Sequence, residues 1–177
     1  MIFISGVHGV GKSYFCNMVK ERTGIESYSA SKLIAEGRKQ GFPASKLIPD
    51  IDENQQYLLD AVDRLRLSGK EFIVDGHFCL LNEEGAITRI NLDTFTTLKP
   101  DAIILLTEDP TIIASRRKDR DGVEPTEGEI KVFQDEESAY AEEVSKLLGV
   151  PFRISKGSGD IDSTINFIAM RGNTYGG

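Results

Sequence analysis

Met1-Ile2-Phe3-Ile4-Ser5-Gly6-Val7-His8-Gly9-Val10-Gly11-Lys12-Ser13 opens the chain and decides its fold. The apolar, β-branched and aromatic residues through Ile4 predict a strand buried on both faces. A glycine-rich turn follows at once, and Tyr14-Phe15-Cys16-Asn17-Met18-Val19 then has the spacing of a helix. Gly6, Gly9 and Gly11 let backbone N–H groups turn inward and let an anion approach without meeting a Cβ. The turn delivers onto a helix N-terminus, whose unpaired N–H groups and dipole favour negative charge. Lys12 adds a mobile charge for β- and γ-phosphates, and Ser13 offers a hydroxyl to Mg²⁺. The spacing is Gly-x-x-x-x-Gly-Lys-Ser, in the strand–turn–helix setting that gives it meaning. The reading is a nucleoside triphosphate site.

Outward from this stretch, strands and helices alternate. A weak strand is expected at 25–28 and a serine-capped helix from Ser29 to Glu36. Gly41-Phe42-Pro43 breaks the pattern. Asp52-x-x-Gln55 reads as a capping box opening a third helix, with Leu58, Ala61, Val62 and Leu65 on its apolar side. Phe72-Ile73-Val74-Asp75-Gly76 is a second buried strand. Residues 76–91 show no period and read as a long connection, and a short helix spans about 92–98. Asp101 to Leu106 is a third strand, and Asp109-Pro110 caps the helix that follows. Thr126-x-x-Glu129 opens another helix that stops at Gly149. A strand at 150–155 and a helix at 160–170 come last. The economical architecture is α/β, a parallel sheet covered by helices on both faces. Ligands of such sheets lie beyond the carboxyl ends of the strands, where Gly6, Asp75 and Thr107 emerge.

At 177 residues the length fits one domain, 1–177, with a polar, glycine-rich tail at 172–177 that reads as frayed. A net charge of −7 speaks against general binding to nucleic acid or anionic membranes. No apolar run reaches the length of a membrane span, and the opening run lacks the shape of a signal peptide. Cys16 and Cys79 are far apart without a Cys-x-x-Cys spacing, so reduced thiols and a cytoplasmic protein are expected.

Asp75 is the strongest second signal. A carboxylate at a buried strand end is costly unless solvated or paired, and at this edge it can hold Mg²⁺ or accept a proton. The bland alternative is a cap on a nearby turn. His77, two residues on, is a candidate acceptor contact beside the alternative of a satisfied loop histidine. Arg116, Arg117, Lys118 and Arg120 form the dense basic cluster of an acidic chain. Arg116 and Arg120 share a helix face and could neutralise transferring phosphates. The acidic face of the later helix (Glu129, Asp135, Glu136, Glu137, Glu142, Glu143) reads as solvated surface. Gly157-Ser158-Gly159 suits a close approach to a purine or a simple turn.

Taken together, Gly6–Ser13, the Val74-Asp75-Gly76-His77 strand end, Pro110–Arg120 and the helix bearing Gln134 resemble the P-loop nucleotide kinases of the adenylate-kinase-like group, archaeal-type and small nuclear-type. The resemblance covers nearly the whole chain. It implies the three-layer P-loop NTPase fold with a five-stranded parallel sheet, acceptor-binding helices at about 29–66 and a small lid at about 118–127. It also implies transfer of the ATP γ-phosphoryl group, with Mg²⁺, to a small acceptor, foremost a nucleoside monophosphate. By position, Gly6, His8, Gly9, Val10, Gly11, Lys12, Ser13 and Tyr14 would bind ATP, with Arg116 against adenine or the phosphates. Lys12, Asp75, Arg116 and the lid arginine Arg120 would serve catalysis, and Ser13 and Asp75 the metal. Ser29, Gln55 or Gln56, and His77 would face the acceptor.

The chain departs from that family where Ser45-Lys46-Leu47-Ile48-Pro49 replaces an arginine before the third helix, leaving Lys46 or Arg38 for an acceptor phosphate. Glu137-Ser138 replaces an Asn-Arg pair, and Arg89 is a candidate substitute. Two alternatives therefore stand beside the small-acceptor kinase. One is an ATP-binding regulatory module with slow hydrolysis and a protein partner on its acidic helix. The other is a kinase of polynucleotides or other metabolites, against which, for polynucleotides, the acidic balance weighs.

Overall fold

The structure is a computed structural model, and the residues it describes are 1–39, 51–82, 84–122 and 125–172. β1 (Ile2–Ser5), α1 (Lys12–Thr23), β2 (Glu26–Ser29) and α2 (Ala30–Lys39) come first. α3 (Ile51–Arg66), β3 (Phe72–Gly76), β4 (Cys79–Leu81), β5 (Ile87–Arg89) and α4 (Leu92–Leu98) follow. Then come β6 (Ala102–Thr107), α5 (Pro110–Asp121), α6 (Glu127–Leu148), β7 (Phe152–Lys156) and α7 (Ile161–Gly172).

Five strands form one parallel sheet in the order β2-β3-β1-β6-β7. β1 is central, Phe3 lying opposite Val74 and Ile103, and Ile4 opposite Asp75 and Ile104. A strand paired on both sides and covered on both faces must be apolar throughout, which is why the opening run alternates nothing. The faces nonetheless separate by parity. Met1, Phe3, Phe72, Val74 and Ile103 pack with Phe78, Phe95 and Tyr140 on one side. Ile2, Ile4, Ile73, Ala102 and Ile104 pack with Phe15, Val19, Ile165 and Ile168 on the other. Fully burying each large side chain stabilises by about 1.5–3 kcal/mol, so the sheet is fixed from both layers.

Residues 76–91 are not a plain connection. β4 and β5 form a two-stranded antiparallel hairpin, and Ile90 N–H closes onto Phe78 O at 2.9 Å. Each strand has three residues, too few for a period to declare itself. The third helix is already helical at Ile51, so Asp52 lies inside it rather than capping it. Among the described residues no helix is long and apolar enough to cross a membrane.

Helix starts differ in a way that prepares the site. Asn91 caps α4, Asp109 caps α5 with Pro110 in the first turn, and Thr126 with Glu129 makes the expected capping box on α6. α1 instead begins after Gly11 in the left-handed region (φ +108°), with no side-chain cap. Its leading N–H groups have no partner within the helix.

Candidate functional site

The turn between β1 and α1 is held open by geometry that glycine alone tolerates. A Cβ on Gly6 (φ +148°) would stand 2.6 Å from Leu106 O and 2.9 Å from a Val10 methyl. A Cβ on Gly9 (φ +88°) would stand 2.8 Å from Arg117 Cγ. Val10 N–H bonds back to Val7 O at 3.2 Å and closes the loop. Lys12 Nζ donates to Gly6 O at 2.5 Å and lies 3.5 Å from His77 Nε2. Its ammonium is thus folded back over the loop, within reach of any anion held by the α1 N-terminus.

Arg116, one α5 residue of the basic cluster, reaches the same loop. Its guanidinium donates to Val10 O at 3.1 Å and lies 3.4 Å from a Glu108 carboxylate oxygen. Arg117 packs its stem on Gly9, and its buried Nε has no hydrogen-bond partner among the described residues. The side chain of Arg120 lies outside the described residues, as do Lys46 and part of the expected lid.

Two cavities meet at this loop. The larger, about 870 Å³, is lined by His8, Gly9, Gly11, Lys12, Ser13, Asp75 and His77 from the loop side. Across from them stand Ser29, Ser31, Arg38, Asn54 and Gln55, over a floor of Phe3, Leu58, Phe95 and Leu98. The smaller, about 380 Å³, is bounded by Val10, Gly11, Tyr14, Thr107, Glu108, Arg116, Gly157 and Ile161. Gly11, Tyr14 and Arg116 line both. The expected residues Ser29, Arg38, Gln55, Asp75 and His77 are therefore gathered on one side of the loop. Of the two expected amides, Gln55 is buried and lines the cavity while Gln56 is exposed and bonds Asp60.

Electrostatics follow from burial. Asp75, in register with Ile4 and Ser29, has its carboxyl pushed above the usual carboxylate range by burial, against the pull of Lys12 and Lys32. His77 is pushed down to about 2 by burial, then by Lys12 and by His8, whose ring lies 4.7 Å away. It stays neutral at any physiological pH and stands in the wall of the cavity. Cys16 and Cys79 are buried free thiols pushed up to about 12, mainly by burial, so neither offers a thiolate.

Arg89 does not reach the cavity. It is tied to Glu136 at 2.6 Å and Glu143 at 2.9 Å and lies over the Tyr140 ring. The helix face read as solvated is likewise different at one position. Glu137 is 0% exposed and accepts N–H bonds from Phe78 at 2.9 Å and Cys79 at 2.7 Å. Asn54, Lys32 and Glu108 were not singled out by sequence. Glu108 carries the signal that identified Asp75, a carboxylate just past the end of a buried strand.

Comparisons with known proteins agree with the fold. Residues 5–132 match the family model AAA_17, described as an AAA domain. No curated protein matches the chain's sequence. Among solved structures, a gluconokinase from Sinorhizobium meliloti 1021 is similar at TM-score 0.55 and 13% identity, covering 99% of this chain and 97% of that one. A deoxyadenosine kinase from M. mycoides is similar at 0.54 and 18%, covering 98% and 100%. A sugar kinase from Janibacter sp. HTCC2649 is similar at 0.52 and 16%, covering 98% and 92%. At such identities the likeness is one of fold, and that fold is the five-stranded parallel sheet flanked by helices described above.

Proposed function

The chain belongs to the AAA domain family, and from that premise we propose that it is an ATP-dependent phosphotransferase acting on a small acceptor. One observation carries the reading: the phosphate-binding loop stands where two cavities meet, so that a nucleotide base on one side and an acceptor on the other would share the polyphosphate between them. Lys12 and Arg116 then supply positive charge where the transferring phosphoryl group gathers negative charge. Ser13 and Asp75 offer one hydroxyl and one carboxylate, the oxygen donors that suit Mg²⁺ while it keeps several waters. When bound, the metal supplies charge neutralisation on the phosphates. The buried thiols suit a reducing compartment.

The acceptor that fits best is a nucleoside monophosphate. Phe3, Leu58, Phe95 and Leu98 offer an apolar floor for a flat base, Asn54 and Gln55 offer amides for its edge, and Arg38 offers a guanidinium for a phosphate. A second reading, a hydroxyl acceptor such as a nucleoside, is favoured by the raised Asp75 carboxyl, which suits proton abstraction. Several structural neighbours are named as kinases of sugars, gluconate or deoxyadenosine. The test offers nucleoside monophosphates, nucleosides and sugars to the purified chain with ATP and Mg²⁺. Phosphorylated product in step with ADP is expected for at least one monophosphate. ATP loss at a rate indifferent to every acceptor would replace the kinase reading by that of a nucleotide-bound regulatory module.

Asp75 gives a prediction with a definite sign. An ionised Asp75 is needed, and its carboxyl is held above the usual range, so kcat/KM rises with pH along an acid limb displaced upward from 3.8. Asp75→Asn removes that limb and lowers turnover by about two orders of magnitude. A raised carboxyl in the folded state contributes stability that is lost as pH climbs through its native value. At pH 7 the Asn variant therefore melts higher than the parent. A variant that melts lower while keeping the acid limb would contradict both statements.

A further inference from the structure

The smaller cavity contains a carboxylate that the capping of α5 does not account for. Glu108 follows β6 directly, while the cap of α5 is its neighbour Asp109. Gln134 of α6 clamps the Glu108 backbone from both sides, its Oε1 accepting the Glu108 N–H at 3.1 Å and its Nε2 donating to Glu108 O at 2.9 Å. The side chain is only 15% exposed and lies against Gly157, where a Cβ would come within 2.9 and 3.0 Å of the two carboxylate oxygens. A glycine on the far wall is thus what leaves room for it. Oε1 accepts from Asp109 N–H at 3.0 Å, and Oε2 faces Arg116 at 3.4 Å.

A clamped carboxylate in a small cavity accepts hydrogen bonds and donates none. Building on the nucleotide reading above, we propose that Glu108 reads the base of the phosphoryl donor, accepting an N–H from the exocyclic amine of adenine. Hypoxanthine or guanine seated the same way turns a carbonyl oxygen toward the carboxylate, and two acceptors repel. Guanine's other edge, with its ring N–H and amine, takes a carboxylate through both oxygens side by side. Each oxygen holds one partner and keeps a lone pair free, so guanine turned onto that edge is a competitor that the GTP arm tests, and ITP, which lacks the amine, isolates the exocyclic contact. Tyr14 and Ile161 complete the apolar sides of the cavity, and Arg116 links base and phosphates.

The experiment measures competition, with Mg²⁺, by ATP, ITP, GTP, N6,N6-dimethyl-ATP and inorganic tripolyphosphate, on the parent and on Glu108→Gln. A hydrogen bond to a charged group sets the scale, about tenfold to a hundredfold in affinity. The parent is expected to prefer ATP over ITP and over the dimethyl analogue by at least about tenfold. Glu108→Gln, whose amide can donate, is expected to tighten ITP and narrow the ATP-to-ITP ratio to about threefold or less. The ratio is the readout because losing the Arg116 contact weakens all triphosphates alike. Equal binding of ATP, ITP and the dimethyl analogue by the parent would overturn the role of Glu108, with no variant needed. A ratio unchanged in Glu108→Gln would overturn it too. If neither tripolyphosphate nor any nucleotide binds, the nucleotide reading itself fails, and this inference with it.

Discussion

Lys12→Ala lowers turnover by about two to three orders of magnitude and leaves the chain folded. The size follows from where the ammonium sits. It lies over the loop, bonded to Gly6 O and 3.5 Å from His77, at the open N-terminus of α1. Removing one charged donor aimed at developing phosphoryl charge costs about 10²–10³ in rate, and the backbone N–H groups that remain hold a ground-state polyphosphate less tightly. The fold does not depend on this side chain, because Gly6 and Gly9 set the loop by their own geometry and Val10 closes it by its main chain. A second readout separates loss of charge from loss of structure. Lys12 Nζ lies 3.5 Å from the His77 ring, so Lys12→Ala shifts the His77 imidazole NMR resonances within an otherwise parent-like spectrum. Unchanged turnover would mean that the loop no longer serves a nucleotide. His77 resonances identical to the parent's would mean that the two side chains are not neighbours in solution.

The sheet and the loop were legible because their physics is local. A strand buried on both faces must be apolar, and a loop wrapping an anion must be rich in glycine, so Ile2–Ser5 and Gly6–Ser13 announce themselves in consecutive letters. Asp75 was legible for a related reason, since a carboxylate at the end of a buried strand is expensive and rarely idle. The misses are side chains whose meaning depends on distant partners. Arg89 is available in sequence, but two carboxylates on α6 and the Tyr140 ring hold it. The hairpin β4–β5 is too short for periodicity to register. Glu108 satisfied the rule that found Asp75, but the adjacent cap signal of Asp109-Pro110 masked it. Glu137 is the plainest case. It sits in a run of acids, Asp135-Glu136-Glu137, whose composition is that of a solvated face, and only the arrival of residues 78 and 79 beneath α6 makes that one position interior.

That burial carries the largest stability effect expected in the molecule. Phe78 and Cys79 are both fully buried where the chain turns out of β3 toward the hairpin, and their N–H groups need an acceptor there. Glu137 provides both oxygens, one to each. Burial pushes its carboxyl upward, and the two N–H bonds pull the other way. Glu137→Ala strands two buried donors and opens a cavity, a loss of about 3–5 kcal/mol. Against a typical total of about 5–15 kcal/mol this is a large share, and for a chain of this size it lowers the melting temperature by at least about 6 °C. Glu137→Gln keeps the shape but presents an amide N–H where an acceptor is required, so its loss is smaller, about 1–3 kcal/mol. The order parent, Gln, Ala in melting temperature is the signature of an acceptor that serves two donors. Because β3 delivers Asp75 and His77 to the cavity just before this turn, the Gln variant also loosens the site, and its turnover falls further than its modest destabilisation alone accounts for. An alanine variant melting within about 1 °C of the parent would return Glu137 to the solvated face that the run of acids suggests.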